Sequence, residues 1–364
     1  MNAEQKTAEE QAQVDIRKRK GTLSSKVITL AHGGGGKAMR DLIDDVFIRE
    51  FSNPELNTLE DQARFQLNDL AGFGDRLALT TDSYVIDPIF FPGGDIGKLS
   101  ICGTVNDLAV GGAIPLYLTC GIIIEEGMPV ETLREIVRSM AATAREAGVS
   151  IVTGDTKVVN RGSCDKVFIN TAGVGIIPTD IHLGSDTVKP GDAILVNGLL
   201  GEHGAAILNA RGEMQLESPI ESDCAPLNDL IRVLLDACPG TRFIRDATRG
   251  GIASVLNEVA DSSGVAIEIV ENKVPIRSEV HGFCEILGLD PLYLANEGRI
   301  VVVVPENEVD AALAAMRTHP LGKESVQVGS VLEGGRAGQV HMQTLFGGKR
   351  IVDMLVGEQL PRIC

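Results

Sequence analysis

The sequence predicts a two-domain α/β protein, on three observations. Its 364 residues suit two units at about 150 residues each. Strand and helix patterns alternate from Lys26 onward. The stretch Pro178–Pro190 is polar and turn-rich and divides that pattern in two.

The elements follow in order. Residues 1–26 open with MNAEQKTAEEQAQVDIRKRK, polar throughout and without the apolar run of a secretory signal, and are expected to form a flexible extension. Lys26–Ala31 reads as a short strand entering the run His32-Gly33-Gly34-Gly35-Gly36-Lys37, and Leu77–Ile86 as a strand rich in Thr, Val and Ile. The uncharged run Leu108–Ile124 is broken by Pro115 and carries three glycines. It falls short of the about 20 apolar residues of a membrane span and reads as a helix end, a loop and a buried strand. Pro129–Gly148 is the clearest helix: Leu133, Ile136, Val137, Met140 and Ala144 keep the 3–4 spacing, with Pro at the start and Gly past the end. Strand Ser150–Thr153 is expected to give way to a loop, Gly154-Asp155-Thr156-Lys157, and Val167–Ile177 is again a strand. In the second half Ala193–Val196 and Ile300–Val304 read as buried strands, and Leu227–Ala237, Gly251–Ser262 and Val309–Met316 as helices. Gly357–Cys364 has no helical pattern and contains Pro361, so it is expected to be an extended, mobile tail. Its eight residues could reach roughly 26–29 Å.

Composition narrows function. Lys plus Arg is 33 against 50 Asp plus Glu, a net charge of −17, with no Trp and three Tyr; such a chain does not clamp phosphate backbones or stack bases, which excludes nucleic acid as the main partner. Seven widely spaced cysteines without C-x-x-C argue against a disulfide framework or a cysteine zinc site and for a reducing cytoplasm. Cys102, Cys120 and Cys284 sit in apolar surroundings and read as core, whereas Cys364 ends the chain. The 41 glycines exceed the usual share of about 7% and point to tight turns around a ligand.

Common signatures fail. HGGGGKAM lacks Walker A spacing, HGGG has no G-x-S-x-G to serve, G-x-G-x-x-G is absent, and the six histidines form no H-x-x-x-H pair. What remains is a set of acids beside loops. Asp75 opens a strand and Asp82 lies in its later half; Asp107 follows Asn106 in a short helix-like segment; Asp155 follows a buried strand; Asp246 precedes a glycine-rich helix start. One such acid is usually a cap or an Asx-turn. Five together, if gathered, would repel one another without hard cations between them, and magnesium with a nucleotide polyphosphate suits such a set. Thr248-Arg249-Gly250-Gly251 adds a cation and bare backbone N–H groups at a helix start, suited to an anion. In isolation Glu297 reads as a turn acid, Lys157 as a surface charge, Cys364 as an incidental thiol, and His203 (GEHGAA) as a helix-start residue outside the catalytic set.

Five segments carry a resemblance: GDRLALTTDSYVIDPIFFPGGDIGKLSICGTVNDLAVGGAIP, IVTGDTKVVNRGSCDKVFINTAG, RDATRGG, CEILGLDPLYLANEG and the terminal PRIC. From about Val27 to Cys364 the chain resembles the HypE family of hydrogenase maturation factors, within the PurM-like ATP-binding superfamily that includes aminoimidazole ribonucleotide synthetase and selenophosphate synthetase. The resemblance implies an N-terminal α/β domain (27–178) that pairs in a homodimer through a β-barrel. It further implies a C-terminal α+β domain (179–356), a tail (357–364) bearing the substrate cysteine, and ATP·Mg2+ between the domains. It implies that Asp75, Asp82, Asp107 and Asp246 bind magnesium, that Asp155 lies in another site loop, that Arg249, Gly250 and Gly251 contact the nucleotide, and that Lys157 and Glu297 stand near the reacting tail. The implied reaction starts when a carbamoyltransferase, HypF, loads a carbamoyl group on the terminal thiol. ATP-dependent dehydration then makes a thiocyanate on Cys364, with Glu297 as base and Lys157 orienting the carbamoyl group; the cyanide goes to the iron of a nickel–iron hydrogenase, carried by a HypC–HypD complex. Arg362 is expected to favour the thiolate and the terminal carboxylate to oppose it. Two alternatives stay open: another superfamily ATP enzyme acting on a small amide or as a kinase, and a non-catalytic nucleotide-binding scaffold for metallocentre assembly.

Overall fold

The computed structural model describes residues 21–212, 219–355 and 362–364. Of the expected N-terminal extension, residues 1–20 lie outside the described residues. Residues 21–26 lie against the domain: the Leu23 N–H donates to Asp45 Oδ2 at 2.9 Å, and Lys26 O accepts from the Val130 N–H at 3.0 Å.

The N-terminal half builds β1 (Arg76–Tyr84), α1 (Ile96–Val110), β2 (Ile114–Glu125), α2 (Val130–Ala147), β3 (Ser150–Val159) and β4 (Val167–Ile177). The strands form one sheet in the order β1-β4-β2-β3, antiparallel except for β2 beside β3. α2 keeps the expected apolar face, with Leu133, Ile136, Val137 and Met140 fully buried, and ends at Gly148, whose φ of 71° lies in the left-handed region. Two expectations change. Lys26–Ala31 makes a single bridge, Val27 to Pro129, because its partner is a turn and cannot extend a ladder. The strand expected to stop at Thr153 runs on to Val159, because Gly154–Val159 pair with Cys120–Glu125 of β2. Asp155 and Lys157 therefore stand on a strand, not a loop.

α1 decides the geometry of the molecule. Its N-cap Asp95 accepts from the N–H groups of Gly97 and Lys98, and its residues from Ile96 to Asn106 are buried except for Lys98. A helix buried all round has neighbours on every side. α1 lies on β1, β4 and β2 on one side and meets the C-terminal half on the other, through the strand β6 and the helix α4. A Cβ at Gly103 would fall 2.3 Å from the Tyr84 hydroxyl, so only glycine allows β1 this close.

The C-terminal half adds β5 (Ala193–Val196), α3 (Glu202–Ala210), α4 (Asn228–Ala237), β6 (Phe243–Asp246), α5 (Gly251–Ser263), β7 (Ala266–Val270), α6 (Ser278–Leu287), β8 (Ile300–Val304), α7 (Val309–Thr318), β9 (Val326–Val331), β10 (Gln339–Gln343) and β11 (Lys349–Val352). Its seven-stranded sheet runs β11-β10-β7-β9-β5-β8-β6. The central strands read AILV and IVVVV and are buried at every position, since helices or loops cover both faces. No helix among the described residues is long and apolar enough to cross a membrane.

Candidate active site

Three acids meet under α1. The alternation of β1 turns Thr80, Asp82 and Tyr84 inward. Thr80 Oγ1 donates to Asp107 Oδ2 at 2.7 Å, and the Tyr84 hydroxyl donates to Asp82 Oδ2 at 3.4 Å. Asp107 comes from the last turn of α1 and Asp246 from the end of β6. Burial pushes the Asp107 carboxyl up to about 6, and the Asp82 charge adds to it. Burial likewise pushes Asp246 up to about 7, with Asp107 and Asp82 raising it further. Each of these carboxyls thus feels its neighbours' charge, which is the repulsion that a hard cation relieves. Among the described residues no three His, Cys, Asp or Glu side chains are spaced to hold a metal ion alone. Magnesium takes one or two carboxylates and completes its shell with phosphate and water.

Glu297 faces the same space from the C-terminal half. Its loop is gripped through the backbone: Asp223 accepts from the N–H groups of Glu297 (3.0 Å) and Gly298 (3.1 Å), and Asn106 of α1 donates to the carbonyls of Ala225 (3.1 Å) and Glu297 (3.4 Å). A Cβ at Gly298 would lie 1.9 Å from the Asp223 carbonyl oxygen, so the grip requires glycine. The Glu297 side chain is 3% exposed, and its Oε1 is buried without a hydrogen-bond partner. Burial pushes this carboxyl well above its usual range, and Cys224, Asp223, Asp246 and Asp82 add to the shift. A buried carboxyl with an open oxygen and a raised proton affinity suits a general base once it has lost its proton.

The chain terminus is docked beside these groups. The carbonyl oxygens of its last three residues all accept: Arg362 from the Asp87 N–H (3.4 Å) and Arg211 Nη2 (2.8 Å), Ile363 from His203 Nε2 (2.8 Å), and Cys364 from the Val85 N–H (3.3 Å). Ile363 is 3% exposed and belongs to the N-terminal core, with Cys364 packed half-buried against it. Residues 357–361 of the expected tail lie outside the described residues. The Arg362 guanidinium pairs with Asp165 and lies 3.9 Å from Asp87, so carboxylates take up the charge that was expected to favour the thiolate. His203 begins α3 as expected, and its bond to the tail is additional. No local pattern marks it.

The comparisons with known proteins bear on this arrangement. Residues 60–177 match the N-terminal domain model of AIR synthase related proteins, and residues 189–341 match its C-terminal counterpart. The chain is 60% identical over 342 residues to carbamoyl dehydratase HypE of Rhodobacter capsulatus, covering 94% of this chain and 99% of that one. The chain belongs to the HypE family of carbamoyl dehydratases. A solved structure of the hydrogenase maturation protein HypE in complex with ATP aligns with a TM-score of 0.87 at 49% identity, covering 92% of this chain and 99% of that one. A HypE–HypF complex aligns with a TM-score of 0.74 at 47% identity, covering 85% and 97%.

In this member of the HypE family the residues singled out in the sequence divide into groups. Asp82, Asp107, Asp246 and Glu297 come together, and the docked terminus bonds to Val85, next to Tyr84. Asp155 and Lys157 are exposed on the opposite, open face of the sheet and pair with each other at 2.7 Å; the ammonium holds the Asp155 carboxyl below its usual value. Lys157 stands at the same end of the sheet as the tail, opposite Ile123 of β2. Asp75 lies seven positions before Asp82, about 23 Å along an extended chain, and pairs with Arg76. Gly33, from the glycine run, packs on β3 beside Lys157: its Cβ would lie 2.7 Å from the Val158 nitrogen. Arg249 is exposed ahead of α5, whose start is made by Gly250 and Gly251 with φ of 76° and 58°.

Proposed function

We propose that this chain removes water from an S-carbamoyl group on its own Cys364, leaving a thiocyanate that supplies cyanide to the iron of a nickel–iron hydrogenase. The observation that carries the proposal is the docked terminus: the backbone of Cys364 hydrogen-bonds to Val85, directly after the strand that presents Asp82 and Tyr84. A primary amide does not lose its oxygen in water, because hydroxide or oxide leaves poorly. Bound ATP·Mg2+ supplies the remedy, a γ-phosphoryl group on the carbamoyl oxygen that lets phosphate depart in its place.

The chain's own residues do the rest. Asp82, Asp107 and Asp246 would hold magnesium; Asp75, about 23 Å away along β1, is too far to share that ion. Arg249 and the N–H groups at Gly250 and Gly251 receive the phosphates. Glu297 takes one N–H proton as the oxygen is phosphorylated and, after passing it on, the second as the C–O bond breaks and the nitrile forms. Lys157, with Asp155 beside it, stands on the open face of the sheet and takes no part in this space within one chain.

The open face of the sheet supports a homodimer, closed as a β-barrel across the two copies. Leu77 and Leu79 of β1 are 60% and 69% exposed on it, more apolar surface than a lone sheet leaves in water. Asp155 and Lys157 then line the seam between the two sheets. The carbamoyl group comes from HypF and the cyanide leaves to a HypC–HypD complex, all in the cytoplasm.

Mass spectrometry of the C-terminal peptide tests the reading. Incubation with HypF, carbamoyl phosphate and ATP should add one carbamoyl group and then remove one water, and Cys364→Ala should show neither. Turnover of a free small amide by the Cys364→Ala chain would instead favour a different amide-activating enzyme.

A further inference from the structure

We propose that His203 is a positioning residue that latches the C-terminal tail in its docked place, and that the segment Ser222–Cys224 sets the latch and Glu297 in one register. The proposal rests on the reaction above only for its catalytic consequence; the latch itself is read from the bonds. His203 is fully buried at the start of α3, with its ring edge-on to Phe91 at 5.6 Å. Ser222 Oγ accepts from the Cys224 N–H at 3.1 Å and lies 2.7 Å from His203 Nδ1. The Ile363 carbonyl, 2.8 Å from Nε2, can only accept, so the ring proton sits on Nε2 and in the neutral ring Nδ1 accepts from the Ser222 hydroxyl. Burial lowers the proton affinity of His203, which keeps this neutral tautomer. Arg211, just past the other end of α3, donates to the Arg362 carbonyl, so one helix grips two consecutive tail carbonyls.

The residue between Ser222 and Cys224 is Asp223, whose carboxylate grips the Glu297 and Gly298 N–H groups. Ser222 is itself tied to the N-terminal half, its N–H donating to the Pro92 carbonyl at 2.8 Å. Neighbouring side chains of one short segment therefore fix the base and the substrate-bearing tail. The grip is on backbone carbonyls and not on sulfur, so it is indifferent to whether the thiol is free, carbamoylated or converted. The tail's place is thereby kept through the chemical steps.

The test uses the whole chain and carboxypeptidase Y, which must draw the terminal residues into its own cleft and so digests only an undocked tail. Release of Cys364 should be about tenfold faster from His203→Ala than from the parent, the cost of one buried hydrogen bond. His203→Gln, whose amide can reach the same carbonyl, should restore most of the protection. Ser222→Ala, which removes one hydroxyl and leaves the packing nearly intact, should speed release about threefold and serves if His203→Ala does not fold. Single-turnover dehydration of a carbamoylated tail should slow in the same order. Unchanged release from Ser222→Ala and His203→Ala would overturn the latch whatever the turnover does. Faster release in the variants, with no thiocyanate formed even by the parent, would uphold the latch and overturn the proposed reaction.

Discussion

The two sheets are built from similar residues and covered differently. In the seven-stranded sheet, β5 and β8 are apolar at every position and buried at every position. In the four-stranded sheet, β1 alternates between an inner face under α1 and an outer face in solvent, yet that outer face still carries Leu77 and Leu79. A strand covered on one side should be polar on the other. The difference teaches that the C-terminal sheet completes its core within one chain, whereas the N-terminal sheet leaves an apolar face uncovered, the face on which a second copy is proposed to dock.

Asp82→Asn should break the comparison most sharply. It should lower ATP-dependent product formation by about a hundredfold to a thousandfold, by removing a magnesium ligand, while sedimentation still shows a dimer. Unchanged turnover would remove Asp82 from the site. Glu297→Gln should lower the rate by about a hundredfold or more and abolish the limb that rises with pH as the raised carboxyl loses its proton; a pH–rate profile keeping that limb would assign it to another group. Next in size is a pair of apolar changes. Val302→Ala, in the middle of β8, should cost roughly 2–3 kcal/mol in urea unfolding. Leu79→Ala, on the open face, should cost under about 0.5 kcal/mol in a dilute single chain. Leu79→Asp should give a folded monomer by sedimentation, and a dimer of parental strength would place the interface elsewhere.

The smallest effect concerns pH. Burial and its acidic neighbours hold the proton on Asp246 up to about 7 when folded, against 3.8 for an ordinary aspartate. Between those values the folded state binds more protons than the unfolded one, so this group makes stability fall as pH rises. Asp246→Asn should therefore melt above the parent at pH 8, without magnesium, and close to it at pH 4. Equal melting at both would mean that the carboxylate is already compensated.

Much of the framework was legible. IVVVV can only be a fully buried strand, and the spacing from Leu133 to Ala144 can only bury one helical face. The acids were legible one at a time, but not their grouping. Asp82, Asp107 and Asp246 meet because α1 is wedged between the two halves, and Asp155 and Lys157 part from them because β3 continues and turns both to the open face. Alternation along a strand decides a face but not what covers it. Asp223 escaped notice and His203 read only as a helix-start residue because each acts on a backbone group brought from far along the chain, which leaves no spacing to read.

What the sequence determined by itself was the set of local elements, the list of acids and the reactive ending, since periodicity, turn chemistry and residue type act over a few positions. Tertiary structure alone decided which acids share a space, that Glu297 is buried with an open oxygen, and that the last three residues are held by their carbonyls. Those outcomes depend on contacts between segments more than a hundred residues apart, such as Asn106 to Glu297 and His203 to Ile363, and packing of the whole chain is what selects them.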